Sequence, residues 1–225
     1  RRVALPAGTL PAACAAFTAD SQLLVLGGTG GGLQAVPLDA EASQAASVHT
    51  LRPPPGPLSA HPDAPEEAGP AGAPPAVLRV CVSLDGQWAA AADARRRVSV
   101  YSLDALAFHA SMPPLPSPPT AIAFLPGTSL LVVATVDKRL LFFDADAGRT
   151  VHTPAAGGGL PILALRGKPE PILRIAFDPA SPGAALLCAQ TWALRIDLGS
   201  LLISRPGAAA HVKPAVSLPE AAAGG

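Results

Sequence analysis

The feature that most constrains this chain is an internal repeat. Four times, an apolar strand leads through a turn of the Asp-Gly or Pro-Gly kind into a second apolar strand. A charged or Gly-rich turn then leads into an alternating strand that ends in Asp. Residues 120–144 show the whole pattern most clearly. A repeated four-stranded unit is the sequence signature of a β-propeller, in which each unit forms one blade. The repeat therefore predicts an all-β fold.

The spacing of the copies identifies the kind of propeller. Val82 and Phe124 occupy the same position in the second and third copies and lie about 42 residues apart, within the ~40–45-residue period of WD40 repeats. We therefore predict a WD40-type β-propeller with at least four visible blades. The four predicted blades lie near residues 10–40, 76–105, 118–146 and 171–203.

The longer spacings contain insertions. Residues 51–75 consist mostly of Pro, Ala, Gly and Glu and are predicted to form a disordered insertion, since they offer little to bury. Residues 150–168 are predicted to be a loop, and 206–225 a flexible tail. Most WD40 propellers have about seven blades. We therefore interpret residues 1–205 as a partial propeller of a larger, tandem-propeller protein, of which this chain is a fragment.

Composition limits the partners of the chain. Sixteen basic and sixteen acidic side chains balance, and the pI is about 7.1. Domains that bind nucleic acid through their overall charge have a pI above ~9, so an RNA contact would have to be a local patch. The sequence contains no apolar run of about 18 residues, and we expect no membrane partner.

The residues that could form disulfides, bind metals or catalyse a reaction are not spaced for these roles. The three cysteines are too few and too scattered for a disulfide framework and are predicted to be buried free thiols of a reducing compartment. No histidine is spaced as a metal ligand, and neither a Ser-His-Asp arrangement nor Gly-x-Ser-x-Gly is present. The Gly-rich residues 27–32 lead into a strand, which favours a hairpin turn over a phosphate loop. We predict no enzyme, no cofactor, no metal site and no small-molecule substrate.

Four turn residues are predicted to serve the fold. Asp85 and Gly86 form the Asp-Gly turn of the second copy, and Asp93 and Asp137 precede the third strand of their blades. An Asp carboxylate in a turn accepts hydrogen bonds from nearby backbone amides. We interpret all four as structural residues.

Five cations occupy equivalent turns of neighbouring blades. Equivalent turns lie on the same rim of a propeller, so these side chains are predicted to form one patch. The patch could contact RNA phosphates or an acidic partner segment, or it could be a solvated turn whose charges oppose aggregation. The five residues are Arg95, Arg96, Arg97, Lys138 and Arg139.

Several stretches of the chain resemble one family. Residues 82–88 (VSLDGQW) and 97–104 (RVSVYSLD) are followed by 115–124 (LPSPPTAIAF), 130–135 (LLVVAT) and 141–144 (LFFD). This ordered series resembles the C-terminal propeller of the cirhin family, WD40 proteins of the small-subunit processome. Residues 171–179 and 192–197 resemble the penultimate segment of that family. Residues 150–157 depart from the family's pattern.

The resemblance implies a non-catalytic scaffold that acts in small-subunit processome assembly and early pre-18S ribosomal RNA processing. It implies a nucleolar location within the nucleus, assembly of a box C/D small nucleolar ribonucleoprotein, and contacts with other processome WD40 subunits of a UtpA (t-UTP) type subcomplex. Contact with pre-ribosomal RNA is a further expectation. The alternative is a generic WD40 protein-interaction adaptor, such as a ubiquitin-ligase substrate receptor.

Overall fold

The structure, a computed structural model, is built of antiparallel sheets. It describes residues 9, 11–38, 48–54, 75–151, 160–161, 165, 167–178, 181–198 and 216–217. These residues form four sheets, and in each sheet four strands follow one another in chain order. The predicted all-β fold with four blades is confirmed.

The first two blades each contain four strands. Blade 1 consists of β1 (Ala12–Phe17), β2 (Leu23–Gly28), β3 (Leu33–Pro37) and β4 (His49–Leu51). Blade 2 consists of β5 (Val77–Val82), β6 (Trp88–Asp93), β7 (Val98–Ser102) and β8 (Ala107–Ser111).

The third and fourth blades follow the same order. Blade 3 consists of β9 (Pro119–Phe124), β10 (Leu130–Thr135), β11 (Arg139–Asp144) and β12 (Arg149–Thr150), and β13 (Leu160–Pro161) also pairs with β11. Blade 4 consists of β14 (Arg174–Asp178), β15 (Ser181–Cys188), β16 (Trp192–Asp197) and β17 (Val216–Ser217).

The strands extend past the blade ends expected from sequence. The fourth strands of blades 1 and 2, β4 and β8, lie beyond residues 40 and 105. Two short strands fall in segments predicted to be a loop and a tail: β13 pairs with β11, and β17 pairs with β16. Residues 55–74 of the predicted insertion, together with 206–215 and 218–225 of the predicted tail, lie outside the described residues.

The second strands of blades 2 and 3 are continuously apolar because neighbouring blades cover both of their faces. In β6, Ala89 and Ala91 pack toward blade 1, whereas Ala90 and Ala92 pack toward blade 3. In β10 the same alternation sends Leu131 toward blade 2 and Val132 toward blade 4. An apolar run without polar interruption is what a strand covered on both faces requires. The hydrophobic core therefore lies in the layers between neighbouring sheets.

Candidate interaction face

One face of the blades carries the cations singled out from sequence. The turn that joins the second and third strands lies at the same end of an antiparallel sheet as the start of the first strand. Backbone hydrogen bonds show this directly. In blades 1, 2 and 3, an amide of the second turn (Thr29, Ala94 or Val136) donates to the carbonyl of the residue just before the first strand. We call this side the second-turn face, and the opposite side the first-turn face.

The second turn of blade 2 is organised around Asp93, the last residue of β6. Its carboxylate accepts the backbone N–H of Arg95 at 2.8 Å and that of Arg97 at 3.0 Å, and the Arg97 Nε at 3.0 Å. Burial raises the pKa of the Asp93 carboxyl, whereas the Arg97 amide and guanidinium act in the opposite direction. Asp93 therefore closes the turn, and Arg97 is held against it.

Blade 3 builds its second turn differently. Thr135 ends β10 and takes the position of Asp93, while Asp137 lies two residues further along. The buried Thr135 hydroxyl donates to the Asp137 carboxylate, and the Arg139 Nε lies 3.0 Å from the same carboxylate. The two aspartates singled out from sequence thus occupy different positions of equivalent turns.

The five cations differ in their contacts within the protein and in their burial. Arg97 and Arg139 form ion pairs within their own turns, and the Lys138 ammonium donates to the carbonyl of Lys168. Arg95 is exposed and Arg96 is half-buried. Arg96 and Lys138 hold the same place in their turns, with φ of 63° and 62°, the left-handed region that non-glycine residues seldom adopt. The two turns therefore share one backbone geometry.

Asp85 and Gly86 lie on the first-turn face. The buried Ser83 hydroxyl donates to the Asp85 carboxylate and accepts the Trp88 N–H at 2.9 Å, while Asp85 also accepts the Gln87 N–H at 3.1 Å. Gly86 has a φ of 76°, which glycine adopts without steric cost. The Ser/Thr-x-Asp pattern recurs at Thr18, with its hydroxyl bonded to Asp20. This Ser/Thr-x-Asp spacing is visible in the sequence and could have identified the buried hydroxyls as partners of the aspartates.

Sequence reasoning also missed Arg79. Leu78 and Thr120 are bulge residues near the start of β5 and β9, where the register with the second strand shifts. The Arg79 guanidinium donates to the Leu78 carbonyl at 2.8 Å and to the Thr120 carbonyl at 3.1 Å. One arginine thereby joins two blades at their first strands. Finding it from sequence would have required knowing the bulges.

The described residues include three cysteines. Cys14, Cys81 and Cys188 are free thiols, and burial raises the pKa of the Cys81 thiol. In the part of the chain that the structure covers, no three His, Cys, Asp or Glu side chains are placed to hold a metal ion. None of the helices described there has the length and apolar character needed to cross a bilayer.

Two curated relatives resemble the chain in sequence. No protein-family model matches it. The human protein called U3 small nucleolar RNA-associated protein 4 homolog is 33% identical over 118 residues, which is 50% of this chain and 16% of that protein. The mouse protein of the same name is 28% identical over 173 residues, covering 76% of this chain and 22% of that protein. The chain thus matches about a fifth of the length of these relatives or less.

Solved structures resemble the chain in fold. A structure of U3-55K superposes with a TM-score of 0.61 at 13% identity, covering 88% of this chain and 52% of that one. The WD40 repeats of RRP9 give 0.59 at 13% identity, covering 89% and 55%. The β-propeller domain of Cps50 (Swd1) from Myceliophteria thermophila gives 0.58 at 15% identity, covering 85% and 55%.

These comparisons establish the fold and support the family resemblance in part. The chain is a WD40-type β-propeller that corresponds to about half of each of these solved chains. The named relatives agree with a resemblance to the cirhin family, at modest identity and over part of the chain.

Proposed function

We propose that this chain is a non-catalytic WD40 scaffold that acts in small-subunit processome assembly and early pre-18S ribosomal RNA processing. The observation that carries the proposal is the sequence similarity to the two U3 small nucleolar RNA-associated protein 4 homologs. The proposal places the protein in the nucleolus. Its partners would be other processome WD40 subunits, in a subcomplex of the UtpA (t-UTP) type, and pre-ribosomal RNA.

The architecture suits such a role. A propeller presents turns from several rigid sheets on one face, so a partner can contact many blades at once. The second-turn face of blades 2 and 3 carries five cationic side chains against the two carboxylates of Asp93 and Asp137. We propose that this patch contacts RNA phosphates or an acidic segment of a partner. Among the described contacts, Arg97 and Arg139 form ion pairs within their own turns and the Lys138 ammonium donates to the Lys168 carbonyl, so Arg95 and Arg96 are the members we expect to reach a partner most directly.

We propose structural roles for Asp85, Gly86, Asp93 and Asp137. Each lies in a turn whose geometry it supports, through carboxylate bonds to backbone amides or to a buried hydroxyl, or through a left-handed backbone. The proposal separates these residues from the cations beside them. Loss of a turn residue should lower stability, whereas loss of an exposed cation should weaken a partner contact.

Affinity purification of the tagged full-length protein tests the function. We expect it to recover small-subunit precursor RNA and other processome subunits, because a scaffold is held by many contacts at once. Depletion should lower the yield of 18S ribosomal RNA. Recovery of ubiquitin-ligase subunits in place of ribosomal precursors would instead favour the adaptor alternative.

Charge reversal tests the patch. Arg95→Glu combined with Arg96→Glu should reduce incorporation into the particle about tenfold or more, with a melting temperature close to that of the parent, because surface charges contribute little to stability. The control for reversing an arginine outside the patch is Arg149→Glu, at an exposed position of β12 in blade 3. If the double variant were incorporated like the control, the patch would not be a contact surface.

A further inference from the structure

The second-turn face carries exposed aliphatic side chains beside its cations. Leu78, Val136 and Leu173 are 43%, 46% and 46% exposed. Leu78 is the bulge residue of β5, Val136 lies in the second turn of blade 3, and Leu173 immediately precedes β14. Bulges re-aim a side chain away from the regular strand direction. Large apolar side chains left exposed together on a soluble domain mark interaction surfaces.

Hydrogen bonds place the turns and lead-in segments of blades 2 and 3 that carry these side chains next to one another. The second turn of blade 2 bonds to the lead-in of β5 through the Ala94 N–H and the Ala76 carbonyl at 3.0 Å. Arg79 crosses from blade 2 to the Thr120 carbonyl in blade 3. Val136 donates to the Pro118 carbonyl at 3.0 Å, so the second turn of blade 3 lies beside the lead-in of β9.

The surface continues into blade 4. The Lys138 ammonium donates to the Lys168 carbonyl, in the segment that leads to β14. The Leu173 N–H donates to the Cys188 carbonyl at 2.8 Å, which fixes Leu173 at the end of β15. The second-turn face therefore carries the exposed side chains of Leu78, Val136 and Leu173 on blades 2, 3 and 4, together with exposed Arg95 and half-buried Arg96 and Lys138.

The chemistry of this path favours a peptide over RNA. Single-stranded RNA is bound largely by stacking its bases on aromatic side chains. Among the described residues, the exposed large apolar side chains of this face are all aliphatic, and exposed Phe17 ends β1 at the first-turn face. Aliphatic side chains bury leucine-like side chains well but offer no flat π surface to a base. The Arg79 guanidinium is already bound to two carbonyls.

We infer that the second-turn face of blades 2–4 binds an acidic peptide segment. Aliphatic side chains of the segment pack on Leu78, Val136 and Leu173, and its carboxylates pair with Arg95, Arg96 and Lys138. The ammonium of Lys138 has three N–H donors, so its bond to Lys168 leaves donors for a carboxylate. The inference rests on the proposed scaffold role and names the chemistry of one partner.

Fluorescence anisotropy with the purified chain tests it. The probe is a short synthetic peptide that alternates glutamate with leucine, and two competitors share its negative charge: the same peptide with serine for leucine, and an oligouridine. We expect the leucine peptide to bind at least about tenfold more tightly than either, since burying one large aliphatic side chain is worth about that factor or more. The affinity should fall as salt is raised.

Variants assign the binding to this face. Val136→Ser together with Leu173→Ser should weaken binding of the leucine peptide about tenfold or more, whereas Leu84→Ser, at a leucine of the first-turn face that is 61% exposed, should leave it unchanged. Equal binding of the serine peptide, tighter binding of oligouridine, or equal effects of the two sets of variants would each overturn the inference. Because the assay contains no ribosomal precursor, its result is independent of the purification experiment above.

Discussion

Blades 3 and 4 share a strand order but differ in how many of their faces are covered. In β10 and β11 of blade 3, side chains on both faces are largely buried, between blade 2 and blade 4. In β16 of blade 4, buried Trp192, Leu194 and Ile196 alternate with exposed Arg195 and Asp197. The hydrophobic pattern of a strand thus reports the number of its neighbours, as well as its secondary structure.

The two blades also close their second turns differently. Blade 3 uses residues of the turn itself, Thr135, Asp137 and Arg139. In blade 4, Glu170 reaches the turn from the preceding connection and accepts both the N–H and the hydroxyl of Thr191 at 2.9 Å. One turn is local in sequence and the other depends on a contact across 21 residues. Blades 3 and 4 therefore differ in the burial of their strand faces and in the polar contacts that close their second turns, and substitutions can test each difference.

The difference in burial predicts the largest effect on stability. Phe142 of β11 is 1% exposed and lies in the core between blades 3 and 4, so Phe142→Ala should lower the free energy of unfolding by about 3–5 kcal/mol. Leu186 of β15 is 39% exposed on the other face of blade 4. Leu186→Ala should change stability by no more than about 0.5 kcal/mol.

Urea denaturation followed by circular dichroism measures both variants. The difference between them is the quantity of interest, because it compares a covered face with an open one. A loss at Leu186 as large as that at Phe142 would show that the outer face of blade 4 is packed against something in solution.

The difference in the polar contacts of the two second turns predicts an intermediate effect on stability. Thr135 is fully buried, and its hydroxyl bonds to the Asp137 carboxylate. Thr135→Val keeps the shape but leaves the Arg139 N–H and the carboxylate without this partner, so it should cost about 1–3 kcal/mol. The matched variant Thr191→Val, in the exposed turn of blade 4, should cost less than about 1 kcal/mol. Thermal denaturation of the pair checks the order, and a reversal would mean that the local turn is the less important one.

Sequence was sufficient for features that depend on neighbouring residues or on periodicity. The alternation and the apolar runs predicted four blades. Turn chemistry predicted structural roles for Asp85 and Asp93, and the carboxylates of both accept N–H groups two residues further along the chain. Arg79 and Glu170 were missed for the opposite reason. Arg79 binds a carbonyl 41 residues away and Glu170 a turn 21 residues away. The Arg79 contact depends on how blades 2 and 3 lie beside each other, and the Glu170 contact on how the connection before β14 meets the turn between β15 and β16. No local sequence pattern encodes either arrangement.

The smallest predicted effect concerns Glu170 and the acidity of the solution. The Thr191 N–H holds the pKa of the Glu170 carboxyl below its ordinary value of 4.5. A carboxyl with a lowered pKa in the folded state stabilises that state above its unfolded pKa, and this stabilisation is lost as the pH falls through the folded pKa. Glu170→Gln removes the titrating group, so the melting temperatures of parent and variant should differ slightly at pH 7 and converge below about pH 4.5.

The control for this titration is Asp20, whose carboxyl also has a lowered pKa, mainly through its bond from the Thr18 hydroxyl, but which lies in blade 1. In Asp20→Asn the acid response of Glu170 should persist, because the two groups belong to different blades and share no partner. If parent and Glu170→Gln instead kept the same difference in melting temperature at every pH, the charge of Glu170 would not contribute to closing the blade 4 turn. The contact across 21 residues would then act through hydrogen bonding alone, as the neutral amide can.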